Sequence, residues 1–421
     1  NADSYLAAAF LEEILVQNGN SLKHFLAALE ISKNAEPFLF AAMHSPRITE
    51  NMYTNPSIVN LLKEIAETTN DGLIRTYMFE KIGKYYEEIA QLDSALKYFN
   101  RMGALKTWNV IGPFENISGS GFYTKYFPET KFDQQKKYTG KENKIINWFE
   151  PAEYRIDGWV DFLCYFSEPN SIFYGNTFVY SKDRQKVQIR VGTSGSLRTF
   201  LNDQLILEVP GETNNNADTF VAETYLQKGW NRLLIKVGYS EIDYCNFMVR
   251  ITDEAGFVKD DLAFSNESKE YPANTKEDYK IIKSSVEEFF EERIKLQPDN
   301  PVNYLLLGEV YSINDKSYES EIVYKEGMKK FPENILLPIH LAGRYMRDDK
   351  PTLYYSLIDK VDKRRDDIPI IIESKLGKEM ADQNKENFTS MFDKYNRKFV
   401  DNRSFYKNLI FYNAIQGKVN E

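Results

Sequence analysis

Few residues in this sequence could perform covalent chemistry. Two cysteines, Cys164 and Cys245, and three histidines, His24, His44 and His340, are its whole supply of thiols and imidazoles. A cysteine attacks only as its thiolate, which needs a base close by. The histidines fall in helical stretches remote along the chain from both cysteines, so no such pair is expected. The cysteines read instead as buried strand residues, and their number leaves a single disulfide open. Metal sites are equally unsupported, because CxxC, HExxH and DxDxDG spacings are all absent. The stretch "VGTSGSLRT", residues 191–199, mixes glycines and hydroxyls but lacks the GK[ST] ending of a phosphate-binding loop. It joins strand to strand and reads as a hairpin turn. The paired acids of "FLEE", "YYEE" and "FFEE" lie on helices, where solvated charge is the default. No catalytic residue, metal ligand or cofactor is assigned, and the chain is read as a non-enzyme.

Binding chemistry depends on the elements that would present it. Apolar residues from Tyr5 to Val16, and again in "SLKHFLAALEIS", recur at helical spacing on either side of the break "QNGN" and predict a helical hairpin. Further helices are predicted over Glu36–Met43, Pro56–Thr68 and Leu73–Ala90. In "FEKIGKYYEEIAQLDSALKYF", Phe79, Ile82, Gly83, Tyr86, Ala95 and Phe99 fall at offsets 4, 7, 8, 11, 20 and 24 of a frame of about 34 residues, the tetratricopeptide (TPR) pattern. Tyr304, Leu307, Gly308, Tyr311, Ser320, Tyr324, Gly327 and Pro332 repeat it with offsets 27 and 32 added. Small residues at 8 and 20 let two antiparallel helices approach closely, while bulky ones at 4, 11 and 24 fill the space between pairs. Pro298, Leu341, Ala342 and Tyr345 continue the register, and the stretch beginning "PIIIESKLGKEM" reads as a degenerate further pair.

In such arrays the inner helix of each pair lines a concave groove, with side chains at offsets 2, 5, 9 and 12. Here these are Tyr77, Glu80, Lys84 and Glu87, then Val302, Leu305, Glu309 and Ser312. A groove lined this way could hold an extended peptide, a partner helix or the chain's own neighbouring domain.

Between the helical stretches the apolar period changes from helical to two. "KVQIRVGTSGSLRTFLNDQLILEV", with an Asn-Asp turn at Asn202-Asp203, "GWNRLLIKVGYS" and "YCNFMVRITDEAG" alternate as strands, and "TWNVIGPF" is their first member. A jelly-roll-like antiparallel β-sandwich is the natural reading, although "KENKIINWFEPAEYRIDGW" has mixed periodicity and leaves the strand number open. Exposed tryptophans on such a sandwich would stack on sugar rings. Trp148, Trp159 and Trp230 are the candidates; Trp230 and Trp108 read as structural, and Trp159 in "DGWVDF" is the least constrained.

The motifs "WNVIGPFENISGSGF", "YFPE", "INWF", "VGTSGSLRTFLND" and "LQKGWNRLLIKV" together resemble the galactose-binding-like β-sandwich region of large bacterial proteins. In those proteins that region follows TPR helices and precedes a transglutaminase-like region. The resemblance covers about Trp108 to Gly256 and implies a Bacteroidetes-type protein of the periplasm or outer membrane, often a lipoprotein. No transglutaminase-like Cys, His, Asp constellation follows the sandwich, which departs from the longer pattern.

The 421 residues suffice for two or three domains. The expected division is helical repeats over 1–106, the β-sandwich over 107–260 and TPR-like repeats over 261–421. With 53 Lys and Arg against 62 Asp and Glu, the net charge of −9 argues against a nucleic-acid surface. No run approaches the roughly 18 apolar residues of a membrane span. Asn1 in place of an initiating Met points to a trimmed or processed chain. The expected function is protein binding or scaffolding in a bacterial envelope complex or larger multidomain protein, through the TPR surfaces. Glycan binding by the sandwich, or service as the non-catalytic half of a transglutaminase- or peptidase-like enzyme, are the alternatives.

Overall fold

The computed structural model of the chain describes residues 1–15, 17–43, 45, 52–53, 55–152, 155–240, 242–363, 368–395 and 403–418. His44, Val16 and residues 396–399 of the last helical stretch read from the sequence lie outside them. Helices come first: α1 (Ala2–Ile14), α2 (Asn18–Ile31), α3 (Ala35–Ala42), α4 (Pro56–Thr68), α5 (Gly72–Glu88) and α6 (Leu92–Met102). A large antiparallel sheet occupies the middle of the chain, and helices return at its end. By contacts the chain forms two compact units. One comprises Asn1–Asn55, Phe289–Ser312 and Lys316–Glu421; the other comprises Pro56–Glu288 with Ile313–Asp315.

In the second unit, Asp71 caps α5 by accepting from the backbone N–H of Leu73 (2.8 Å) and Ile74 (3.2 Å), an arrangement that stabilises a helix start by about 1 kcal/mol. Helices α5 and α6 pack closely because residue 83 is glycine: a Cβ there would stand 2.5 Å from the Phe99 ring. Gly103, with φ +74, ends α6 in the left-handed conformation.

The sheet's strands are β1 (Asn109–Glu115), β2 (Tyr138–Thr139), β3 (Ile145–Ile146), β4 (Val160–Asp161), β5 (Ser171–Ser181) and β6 (Gln185–Leu201). They continue with β7 (Gln204–Asn214), β8 (Phe220–Leu226), β9 (Gly229–Tyr239), β10 (Asn246–Thr252), β11 (Ala263–Ser265) and β12 (Lys280–Ile282). Apart from the separate β2–β3 pair, they form one sheet in the order β1-β5-β9-β6-β10-β4, with β7 and β8 also on β6, β11 on β5 and β12 on β8.

The hairpin turn expected at residues 191–199 is not formed; the chain runs through them as β6, 17 residues long. The first half of β6 pairs with β10 and β8, and the second half with β9 and β7. Gly195 makes the change of partners possible. Its φ is +130, and a Cβ would lie 2.6 Å from the carbonyl oxygen of Gly238. The turn that does form is Asn202-Asp203, with φ +48 and +70, joining β6 to β7 as the sequence predicts.

Alternation along the strands builds two cores. Val187, Ile189 and Val191 from the first half of β6 join Leu197 and Leu201 from its second half, with Leu233, Ile235 and Val237 of β9, in the larger core. Trp108 is wholly buried there, its indole N–H donating to the Leu105 carbonyl at 2.8 Å. The opposite faces of β5 and β9 carry Ile172, Tyr174, Phe178 and Leu234, which the excursion between β1 and β4 covers with Phe132, Tyr138 and Trp148. Each large side chain buried this way contributes roughly 1.5–3 kcal/mol. Both cysteines are free thiols, so the disulfide left open by the sequence is not formed. Neither lies within a strand: Cys164 sits half-buried in a 3₁₀ turn, and Cys245 is buried just before β10.

In the first unit, α1 and α2 form a hairpin tied by the Ser21 hydroxyl on the Ala9 carbonyl at 2.6 Å. The later helices of the chain, from Phe289 on mainly in this unit, are α7 (Ser285–Leu296), α8 (Pro301–Ile313), α9 (Ser317–Lys330) and α10 (Leu336–Arg347), then α11 (Pro351–Asp362), α12 (Pro369–Ala381), α13 (Lys385–Tyr395) and α14 (Arg403–Ile415). Helices α8 and α9 repeat the α5–α6 contact. A Cβ on Gly308 would stand 2.4 Å from the Tyr324 ring, and Ser320 donates its hydroxyl to the Gly308 carbonyl at 3.0 Å.

Candidate functional site

Two concave regions contain residues that the sequence singles out, one in each unit. The first is a cleft of about 250 Å³ in the sheet-bearing unit, lined among others by Lys106, Glu150, Arg155, Trp159, Asp161 and Tyr165. Most of its lining comes from Glu150, Pro151, Ala152, Arg155 and residues 158–161, with Tyr165; the part up to Trp159 falls in the stretch of mixed periodicity, residues 141–159. Gly158, with φ +86, turns the chain, and Asp157 accepts from the Trp159 backbone N–H at 3.3 Å. The indole of Trp159 rests on Gly192, where a Cβ would approach it to 2.8 Å. It is therefore held firmly, with 9% of the residue exposed.

Charged groups around this cleft are ordered by their neighbours. Arg155 grips Asp157 with two bonds, Nε to Oδ1 at 3.0 Å and Nη2 to Oδ2 at 2.6 Å. Asp161 Oδ1 accepts the Leu163 backbone N–H at 3.0 Å, while its Oδ2 lies 3.9 Å from Arg155 Nη1. Burial raises the Asp161 carboxyl above the usual range, the Leu163 N–H and Arg155 opposing. The Tyr165 hydroxyl donates to the Ala152 carbonyl at 2.7 Å, closing the segment on itself.

The groove positions of α5 lie in the same unit. Tyr77 and Glu80 are buried, 3% and 2% exposed, and Lys84 Nζ meets Glu80 Oε1 at 2.5 Å. Glu87 is exposed. The Glu80 charge raises the Lys84 ammonium, Asp157 adding to it, and Glu80 likewise acts on Arg155. Tyr77, Glu80 and Lys84 thus belong to one charged neighbourhood with the segment bearing Trp159, and the inner face of α5 is not an open trough. Burial likewise lowers the Lys81 ammonium, on the next turn from Tyr77, to about 8.

The second region is a groove of about 170 Å³ in the helical unit, lined among others by Phe10, Ile14, Glu309, His340, Gly343 and Arg347. It draws on α1 near one end of the chain and on α8 and α10 near the other. Of the α8 groove positions, Val302, Leu305 and Ser312 are buried, Ser312 pairing with the Ser320 hydroxyl at 2.8 Å. Glu309 alone among them lines the groove. Its Oε1 accepts the Tyr324 hydroxyl at 2.5 Å and faces His340 Nδ1 at 2.8 Å, while the Phe10 ring meets the imidazole edge to face at 5.7 Å. A Cβ on Gly343 would meet nothing within 4 Å, so the groove is open there.

Glu309 is expected to make the helical unit acid-sensitive. Burial alone would raise its carboxyl, but the hydrogen bond and charge of His340, with Arg347 and Tyr324, bring it down to about 2. A carboxyl depressed by folding contributes stability above its unfolded value, near 4.5, and loses it as the pH falls toward 2. The full contribution is of order 3 kcal/mol. Helical far-UV circular dichroism against urea at pH 6 and pH 3 should show this loss in the wild type and a much smaller one in Glu309→Gln. Equal acid sensitivity in the two proteins would contradict it.

Sequence reasoning missed His340, Arg347, Arg155 and Asp161. His340 and Arg347 lie on the helix after the second repeat, at no groove offset considered; Arg155 lies in the stretch without clear period, and Asp161 lies just after it in "DGWVDF", where only Trp159 was singled out. Among the described residues no group of three or more His, Cys, Asp or Glu side chains could hold a metal ion, and no helix is long and apolar enough to cross a membrane. No protein-family model matches the chain, and no curated protein matches it.

Proposed function

We propose that this chain is a non-catalytic scaffolding module that binds protein partners through its helical unit. The groove at Gly343 carries the reading: an open concavity with an apolar wall of Phe10 and Ile14 and a polar rim of Glu309, His340 and Arg347. Such a lining suits an extended peptide or a partner helix that inserts one apolar anchor and sets a polar group at the rim. The repeated glycine-on-aromatic contacts, Gly83 with Phe99 and Gly308 with Tyr324, support TPR-like pairs, since they fall at the same two offsets. The core common to both halves of β6 supports a jelly-roll-like sandwich of the galactose-binding-like kind. Residence in a bacterial envelope, in a Bacteroidetes-type lipoprotein or a transglutaminase-like multidomain protein, follows from the sequence resemblance alone. A random-peptide display screen tests the scaffold reading. Selected peptides should bind the wild type and lose tenfold or more affinity for Gly343→Phe, which fills the groove. Failure to select any peptide, or undiminished binding by Gly343→Phe, would sink it.

Glycan binding by the sheet-bearing unit is the second reading, and the position of Trp159 in the cleft favours it. Loss of glycan-array binding on Trp159→Phe would support that reading.

A further inference from the structure

Resting on that second reading, we propose that the cleft at Trp159 binds one sugar ring, as a free monosaccharide or as the end residue of a chain, and not a run of sugars. Three observations carry this. The cleft holds about 250 Å³, below the roughly 300–1,000 Å³ typical of pockets for drug-sized ligands, so it admits one small molecule. Trp159 is mostly covered by the protein, so the cleft offers no aromatic platform along which several rings could stack.

The polar lining supplies the chemistry. Arg155 Nη1 and Asp161 Oδ2 stand 3.9 Å apart, beyond hydrogen-bond distance, so a donor and an acceptor lie side by side without satisfying each other. Asp157 holds the guanidinium and the Leu163 N–H holds the carboxylate in these positions, within ion-pair range of each other but short of a hydrogen bond. A hydroxyl both accepts and donates, and bridges such a pair where a purely anionic or cationic group meets repulsion from one member. Lys106 and Glu150 extend the alternation of donor and acceptor around the cleft, matching a ring that carries hydroxyls on several carbons.

The test uses the full chain on a glycan array, with competition by free monosaccharides and calorimetric titration of any that compete. The expected result is binding to glycans sharing one terminal sugar, competed by that free sugar. It should weaken tenfold or more in Asp161→Asn, which keeps the Leu163 contact, and for the deoxy analogue lacking the bridging hydroxyl. Unchanged circular dichroism and melting of the variant would separate lost binding from lost folding, and Arg155→Lys offers a second variant should Asp161→Asn fail to fold. Binding that needs several contiguous internal sugars and resists free monosaccharide would overturn the single-ring proposal while leaving glycan binding standing. Binding indifferent to Asp161→Asn and Arg155→Lys would place the sugar elsewhere. A wild-type chain that binds no glycan or monosaccharide would overturn both.

Discussion

Asp218→Asn is expected to cost the sheet-bearing unit about 3–5 kcal/mol. Arg190 and Arg250 lie directly opposite each other on β6 and β10, and both reach Asp218 Oδ2, Arg190 Nη1 at 3.4 Å and Arg250 Nη1 closer still. All three side chains are buried. Arg250 also donates through Nε to the Met102 carbonyl at 2.5 Å and through Nη2 to the Gly256 carbonyl at 3.1 Å, so it cannot swing out to water without breaking those bonds. Burial already pulls its guanidinium below the usual value, with Asp218 opposing. Removing the one carboxylate leaves two adjacent buried cations. Asn is the informative replacement because Asp218 has φ +62, a conformation Asn also tolerates, which isolates the charge from the backbone. All four tryptophans lie in this unit, so urea denaturation followed by tryptophan fluorescence reads it selectively. A loss below about 1 kcal/mol would show that the arginines are solvated or paired otherwise.

The second large effect is expected at another buried cluster of the same unit. Lys236 of β9 is wholly buried, its Nζ donating to Glu129 Oε1 at 2.8 Å and to the Thr124 carbonyl at 2.7 Å. Tyr174 donates its hydroxyl to the same Glu129 oxygen at 2.6 Å. Burial lowers the Lys236 ammonium, and Glu129 works against that. Glu129→Gln should cost about 3–5 kcal/mol by the same fluorescence assay, because it strands the ammonium. Adding Lys236→Met should restore much of that loss, since an apolar side chain of similar length needs no counter-charge. Losses that simply add in the double variant would show that the two residues are not coupled.

These two clusters show how unevenly the molecule was legible in its sequence. Gly83 and Gly308 could be read in advance as sites of close helix approach, because each contact lies within a single helix pair and its spacing is written into one short stretch. The Asn202-Asp203 turn was legible for the same reason: both residues take positive φ at little cost. The Arg190–Asp218–Arg250 cluster was not, since it joins residues 28 and 32 positions apart on three separate segments. No local period marks a partner that only the sheet order brings near.

The candidate sites divide in the same way. Sequence singled out Trp159 by its residue type and Glu309 by its offset in the repeat, but it could not place Arg155 and Asp161 beside the one or His340 and Arg347 beside the other. Nor could it show that Tyr77 and Glu80 are buried, because offsets along a helix describe which side chains share a face and not what covers that face. Residues 191–199 show the limit most plainly. Glycines and hydroxyls there fit a turn, and only pairing with four strands decided for a continuous one, since each half of β6 gains two hydrogen-bonded neighbours by staying extended. By itself the sequence determined the alternation of helical and strand segments, which periodicity and capping encode locally. Tertiary structure decided strand order, the grouping of α4 to α6 with the sheet, and the side chains that meet in each concavity, because all of these depend on contacts between residues distant in the chain.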